Sequence, residues 1–172
     1  MREHEHYMRE ALAEAELALS QGEFPVGVVL VADGEILVRA SRRNSQAASR
    51  NEIDHAETNG LRILLRDYPQ VEPSRVWVYS TMEPCLMCYS TLLLSGIRHI
   101  IWAYEDVMGG GTSLDLKKLN PLYQAMQVEL VGLVLRRESL ALFQQFFRSH
   151  DYWQDSLLAR YTLGQSLNGE GE

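Results

Sequence analysis

Short apolar runs of strand character alternate along this chain with longer runs of helical period, and that alternation restricts the fold more than any other feature. Val26–Ala32 is apolar and β-branched, Asp33-Gly34 is a hairpin signal, and Glu35–Ala40 returns as a second strand. Arg75–Thr81, Ile97–Ala103 and Val128–Val134 read as further strands, Ile97–Ala103 being apolar enough to lie centrally. Between them, a helix is expected from about Tyr7 to Ser20, with Met8, Leu12, Ala15 and Leu19 on one face. Others are expected from His55 to about Asp67, from Cys85 to Ser95 with Gly96 closing it, over Leu114–Lys118, and over Arg137–Phe147. Ser41–Asp54 is polar and reads as a loop, and Pro69 and Pro73 make Tyr68–Ser74 a connection. Strands alternating with helices in this way predict an α/β fold, a mixed sheet sandwiched between helices.

The 172 residues suit a single domain, expected over residues 1–163. A helical extension is expected from about residue 150, including Tyr152–Tyr161, with residues 164–172 as a Gly-rich acidic tail that frays. No apolar run approaches the roughly 20 residues needed to span a bilayer, which argues against a membrane partner. The charged start, Met1-Arg-Glu-His-Glu-His, lacks a signal peptide's apolar stretch, so a cytoplasmic location is the expectation. The formal net charge of −7 opposes contact with polyanions, although a local basic patch would suffice for one.

Two short motifs carry the chemistry: His55-Ala56-Glu57 and Pro84-Cys85-Leu86-Met87-Cys88, each at a helix start. Only two cysteines occur, too few for a disulfide scaffold, so their close spacing points to metal binding or redox chemistry. A Cys-x-x-Cys opening a helix brings two sulfurs near one point, and the helix N-terminus favours thiolates. With the imidazole of His55 as third ligand, Zn²⁺ is formally charge-balanced and keeps one tetrahedral position for water. Glu57 is then close enough to take the proton of that water, pass it to a ring nitrogen and protonate leaving ammonia. Taken alone, Cys-x-x-Cys also fits a redox pair or half of a structural zinc site, and His-x-Glu means little. A structural site needs a fourth protein ligand, and His4, His6, His99 and His150 do not stand at knuckle-like spacing. His-x-Glu followed by Pro-Cys-x-x-Cys is the signature of zinc deaminases acting on nucleobases.

On these residues the chain resembles the cytidine deaminase-like superfamily, and within it the branch of tRNA adenosine deaminases and cytosine and nucleoside deaminases. The similar stretches are Glu23-Phe24-Pro25-Val26-Gly27-Val28-Val29-Leu30-Val31, the two zinc motifs with Ser80-Thr81-Met82-Glu83 before the second, Gly110-Gly111-Thr112-Ser113-Leu114, and Gln145-Phe146-Phe147-Arg148. The resemblance implies a three-layer α/β/α sandwich with a five-stranded mixed sheet, one zinc per chain and a homodimer. It implies substrate contacts from Asn44, which lies eleven residues before His55, from the backbone of Ala56 and Pro84, and from Asp106. Asn44 also reads as an ordinary turn residue and Asp106 as a solvated loop charge. Phe147 is a candidate to stack near the ligand, with a core role as its other reading. Glu83 reads as structural.

Two departures bear on the substrate. Glu52-Ile53-Asp54 stands where the family usually has Pro-Thr-Ala, and an aromatic segment, Tyr152-Trp153, follows where tRNA-acting members carry a basic helix. Such a tail resembles the cap over a small base in cytosine deaminases, with Trp153 as a substrate contact, and packing against the body is the other reading. Acidity and this tail favour a free base or nucleoside as substrate. The Pro-Val-Gly strand, the Met in the Cys motif and the Phe pair favour conversion of wobble adenosine to inosine in tRNA. A non-catalytic zinc-binding protein of the same fold is a third class, which retention of Glu57 disfavours.

Overall fold

The computed structural model describes residues 2–167. Its frame is a five-stranded sheet in the order β2-β1-β3-β4-β5. The strands are β1 (Gly27–Ala32), β2 (Glu35–Ser41), β3 (Trp77–Met82), β4 (His99–Tyr104) and β5 (Glu129–Val131). β1 pairs antiparallel with β2 and β3, whereas β3, β4 and β5 run parallel. The hairpin turns at Asp33 and Gly34, both at positive φ (53° and 83°), which matches the twist of a tight two-residue connection.

β1 is apolar throughout because both of its faces are covered. Along β1, Val28 and Leu30 enter one core with Leu61 and Leu64 of α2 (Ala56–Asp67) and Tyr89 and Leu92 of α3 (Leu86–Leu94). Val29 and Val31 point the other way, to Met8, Ala11 and Leu12 of α1 (Arg2–Ser20). This period-two switching is what a strand sandwiched between helices requires. Gly27 is needed at the start of β1, because a Cβ there would lie 2.2 Å from the Ala11 carbonyl oxygen. α5 (Arg136–Ser149) and α6 (Leu157–Gly164) complete the chain, and α5 packs against α1, β4 and α6. The expected three-layer α/β/α arrangement is therefore present.

Several boundaries differ from expectation. α1 begins at Arg2, five residues before Tyr7, with Glu3 and Glu5 in the first turn where they complement the helix dipole. Leu114–Lys118 yields only the 3-10 turn Leu116–Lys118, followed by a short helix α4 (Pro121–Gln124) with proline in its first turn. The last strand stops at Val131 because Leu133 and Leu135 adopt positive φ, 68° and 56°. Residues 152–155 form turns, Trp153 at φ 57°, so the last helix starts at Leu157, where the Ser156 hydroxyl accepts from the Ala159 amide. α6 includes Leu163 and Gly164, and most of the expected tail lies outside the described residues.

Candidate active site

Both motifs sit at helix N-termini that converge beside the sheet. His55 is the N-cap of α2 and Cys85 the N-cap of α3, each in extended backbone conformation. Cys88, fully buried, lies on the first turn of α3. The three potential ligand atoms lie within 4.8 Å of one another. His55 Nδ1 is 3.6 Å from Cys85 Sγ and 3.5 Å from Cys88 Sγ. Zn–S bonds of about 2.3 Å and Zn–N bonds of about 2.0–2.1 Å give a tetrahedron with N–S edges of about 3.6 Å. The donor set and its spacing therefore fit zinc.

Electrostatics at this point suit a cation. The Cys88 thiol donates toward the Cys85 sulfur and, with His55 close by, outweighs burial to pull Cys85 down to about 4. That makes Cys85 the natural thiolate. Cys88, hydrogen-bonded to that thiolate and buried beside Glu57, is pushed up, and a metal binding there would displace its proton. Burial disfavours a charged His55, but Cys85 and Glu57 together raise it above its ordinary value.

Glu57 is buried on α2, and burial raises its carboxyl well above the usual range. Its Oε1 accepts from the Ser80 hydroxyl at 3.2 Å and its Oε2 faces Cys88 Sγ at 3.7 Å. Ser80, a fully buried hydroxyl on β3, was not singled out from the sequence. Its only signal there is a polar residue inside an apolar strand.

A cavity of about 90 Å³ opens onto these groups, lined by His55, Ala56, Glu57 and Cys85 on its chemical side and by Phe24, Val26, Met82, Trp153 and Leu158 elsewhere. Asp106 and Gly109 also line it. Asp106 shapes the loop, accepting amide hydrogens from Met108 (3.0 Å) and Gly109 (2.9 Å) on Oδ1, and burial raises its carboxyl. Glu83, which also lines the cavity, fastens the same loop by accepting from the Asp106 amide and from the Thr112 amide and hydroxyl.

Three expected substrate contacts do not line the cavity. Asn44 is buried with both ends of its amide engaged, by Arg42 Nε at 2.8 Å and by the Asn51 carbonyl at 2.5 Å. The Pro84 carbonyl already accepts from the Gly111 amide at 2.9 Å. Phe147 is core, packed edge-on against Phe24 and Phe146. The aromatic pair divides: Tyr152 is buried against Phe24 and Phe146, while Trp153 reaches the cavity wall and stays 39% exposed. Arg42, which directly follows β2, is buried and also lines the cavity.

The comparisons with known proteins agree with this chemistry. The model of the cytidine and deoxycytidylate deaminase zinc-binding region matches residues 1–104. The tRNA-specific adenosine deaminase of Bacillus subtilis is 32% identical over 148 residues, covering 86% of this chain and 91% of that protein. Its namesake from Agrobacterium fabrum is 29% identical over 149 residues, covering 86% and 96%. Among solved structures, a tRNA:A34 deaminase of A-to-I editing superposes with a TM-score of 0.68 at 26% identity, covering 80% of this chain and 98% of that one. The guanine deaminase of Nitrosomonas europaea, at 17% identity and a TM-score of 0.66 over 83% of each chain, shares the fold. The chain thus belongs to the zinc-binding cytidine and deoxycytidylate deaminase family, and is a zinc-dependent hydrolytic deaminase.

Proposed function

We propose that the protein deaminates adenosine in tRNA, exchanging the exocyclic amino group for oxygen to leave inosine and ammonia. The observation that carries this reading is the likeness to tRNA-specific adenosine deaminases along nearly their whole length. It replaces the free-base substrate that acidity and the aromatic tail suggested. When bound, zinc acidifies the attacking water. Glu57 takes one proton of the water on a carboxylate oxygen and delivers it to the ring nitrogen next to the reacting carbon; it then takes the second proton from the added hydroxyl and gives it to the departing amine as the C–N bond breaks. The Ser80 hydroxyl keeps the carboxylate aimed, and Trp153 and Leu158 exclude bulk water from one wall. The cavity suits one base, so an RNA must splay its target nucleotide out of the stack.

A basic groove supports the RNA substrate despite the net charge. Arg39 of β2, Arg43, and Arg62 and Arg66 of α2 line it with Asn59. Arg43, Arg62 and Asn59 continue into a second depression with Asn51 and Asp54, next in sequence to His55. Arg43 is exposed, and its guanidinium has no partner among the described residues. The others pair with solvent-accessible carboxylates, Glu10, Asp54 and Asp67, which a phosphate can displace. Replacing both Arg62 and Arg66 by Glu is expected to raise KM for an anticodon stem-loop by about tenfold or more and to flatten its salt dependence. Stem-loop kinetics across a salt series check this, and an unchanged KM would remove the groove from the substrate path.

A second reading, a free base or nucleoside as substrate, is favoured by Trp153 and Leu158 on the cavity wall. Ammonia release from a panel of free bases, nucleosides and an adenosine-34 stem-loop separates the two. Turnover of the stem-loop alone supports the proposal, and turnover of a small molecule alone overturns it. A homodimer in the cytoplasm belongs to the same reading. Leu86 and Leu94 of α3 are 54% and 58% exposed, an apolar side for a second copy to cover, and light scattering should give the mass of two chains.

A further inference from the structure

His55 presents Nδ1 to the two sulfurs, which leaves Nε2 on the far side of the ring. That atom is buried and has no hydrogen-bond partner. Unsatisfied buried polar atoms are few in native proteins, and each calls for an explanation. The side chain that faces it is Glu52, whose Oε2 lies 3.6 Å away, slightly beyond hydrogen-bond length. An imidazole that gives Nδ1 to a metal keeps its proton on Nε2, and that N–H needs an acceptor.

Glu52 is itself held. Its Oε1 accepts from the Tyr152 hydroxyl at 2.7 Å, and its Oε2 accepts from Arg42 Nη2 at 2.8 Å. Arg42 Nη2 also donates to the Tyr152 oxygen at 2.5 Å, closing a triangle. The guanidinium lies between two rings, 5.4 Å from the centroid of Phe24 and 5.3 Å from that of Tyr152. The Glu52 side chain is 47% exposed, so these partners, and not burial, determine where its carboxylate sits.

We propose that Glu52 is a positioning residue for the metal: its carboxylate accepts the Nε2 proton of His55, and Arg42 and Tyr152 hold that carboxylate in place. The segment after α5 thereby tunes zinc affinity through Tyr152 and a carboxylate 100 residues earlier in the chain. Carboxylate partners of metal-bound histidines fix the ring and raise its basicity, and losing one typically costs 10–100-fold in metal affinity. This rests on zinc binding by His55, Cys85 and Cys88 and is independent of the substrate.

The test is zinc affinity of the full chain, measured by competition with a chromophoric chelator. Glu52→Ala is expected to weaken zinc by about 10–100-fold. Glu52→Gln, which keeps an acceptor oxygen and the side chain's shape, should lose less. Tyr152→Phe should lose a few-fold, and its effect should vanish in a Glu52→Ala background, since the hydroxyl acts only through that carboxylate. Visible spectra of the cobalt-loaded variants read the ligand geometry directly, which a role in folding alone would not alter once the chain is folded. Wild-type affinity in a folded Glu52→Ala, or fully additive losses in the double variant, would overturn the proposal. Should Glu52→Ala not fold, Glu52→Gln with wild-type affinity and a wild-type cobalt spectrum, together with an unaltered Tyr152→Phe, overturns it as well. A wild-type chain that binds no zinc would instead sink the metal reading beneath it.

Discussion

Glu57→Gln is expected to lose about a thousandfold in turnover, roughly 4 kcal/mol in activation free energy, while keeping one zinc per chain. Glutamine has the same shape, and its amide oxygen still accepts from the Ser80 hydroxyl, so the fold and the three ligands are untouched. What it lacks is a transferable proton. The carboxyl is suited to that task because burial raises it above the ordinary carboxylate range, bringing its protonated form closer in free energy to the ionised one. A shuttle needs both forms in one catalytic cycle, first as base toward water and then as acid toward ring nitrogen and amine. Steady-state ammonia release beside metal analysis of the same sample checks the expectation. Retained turnover would remove Glu57 from the proton path, and lost zinc would make it a structural support of the site.

The chemistry was legible because it is local. His55-Ala56-Glu57 and Cys85-x-x-Cys88 each fix side chains within one helical turn, and ligand geometry then demands that the two N-termini meet. The sheet was legible for a similar reason, since the alternate burial of Val28 and Val29 is written into consecutive residues. Contacts that depend on where loops travel were not. Asn44 stands at the expected spacing from His55, yet Arg42 and Asn51 occupy its amide, and nothing in its spacing announces them. Phe147 and Trp153 carry the same kind of signal in sequence, but one lies in the core and the other, stacked on Tyr152, reaches the cavity from a turn whose backbone has positive φ. The triangle of Arg42, Glu52 and Tyr152 joins the two departures from the family pattern, Glu52-Ile53-Asp54 and the aromatic segment, across 100 residues of chain. Each looked like a substrate feature alone, and only the fold brings them together behind His55.

Cys88→Ser is expected to abolish activity and to weaken zinc by more than the 10–100-fold that loss of an outer partner costs, since it removes a ligand outright. The hydroxyl is a harder, far weaker acid than the thiol and does not ionise for the metal at neutral pH. The site has no spare donor: His55 and Cys85 supply one atom each, and no further residue joins the cluster among those described. Stability should fall in parallel. A ligand that binds only the folded chain adds RT ln(1 + [L]/Kd), about 2.7 kcal/mol at a hundredfold excess over Kd. Wild type stripped by a chelator should therefore unfold at a lower temperature than loaded wild type, and Cys88→Ser should unfold near the stripped value with or without zinc. Acid should imitate the chelator, because protons compete for all three ligands, and a His55 held above its ordinary value is protonated earlier as pH falls. Thermal melts of both proteins with zinc, with chelator and across a pH series read these effects together. A Cys88→Ser protein that gains stability from zinc as wild type does would mean that the metal lies elsewhere, and the geometry of His55, Cys85 and Cys88 would then need another explanation.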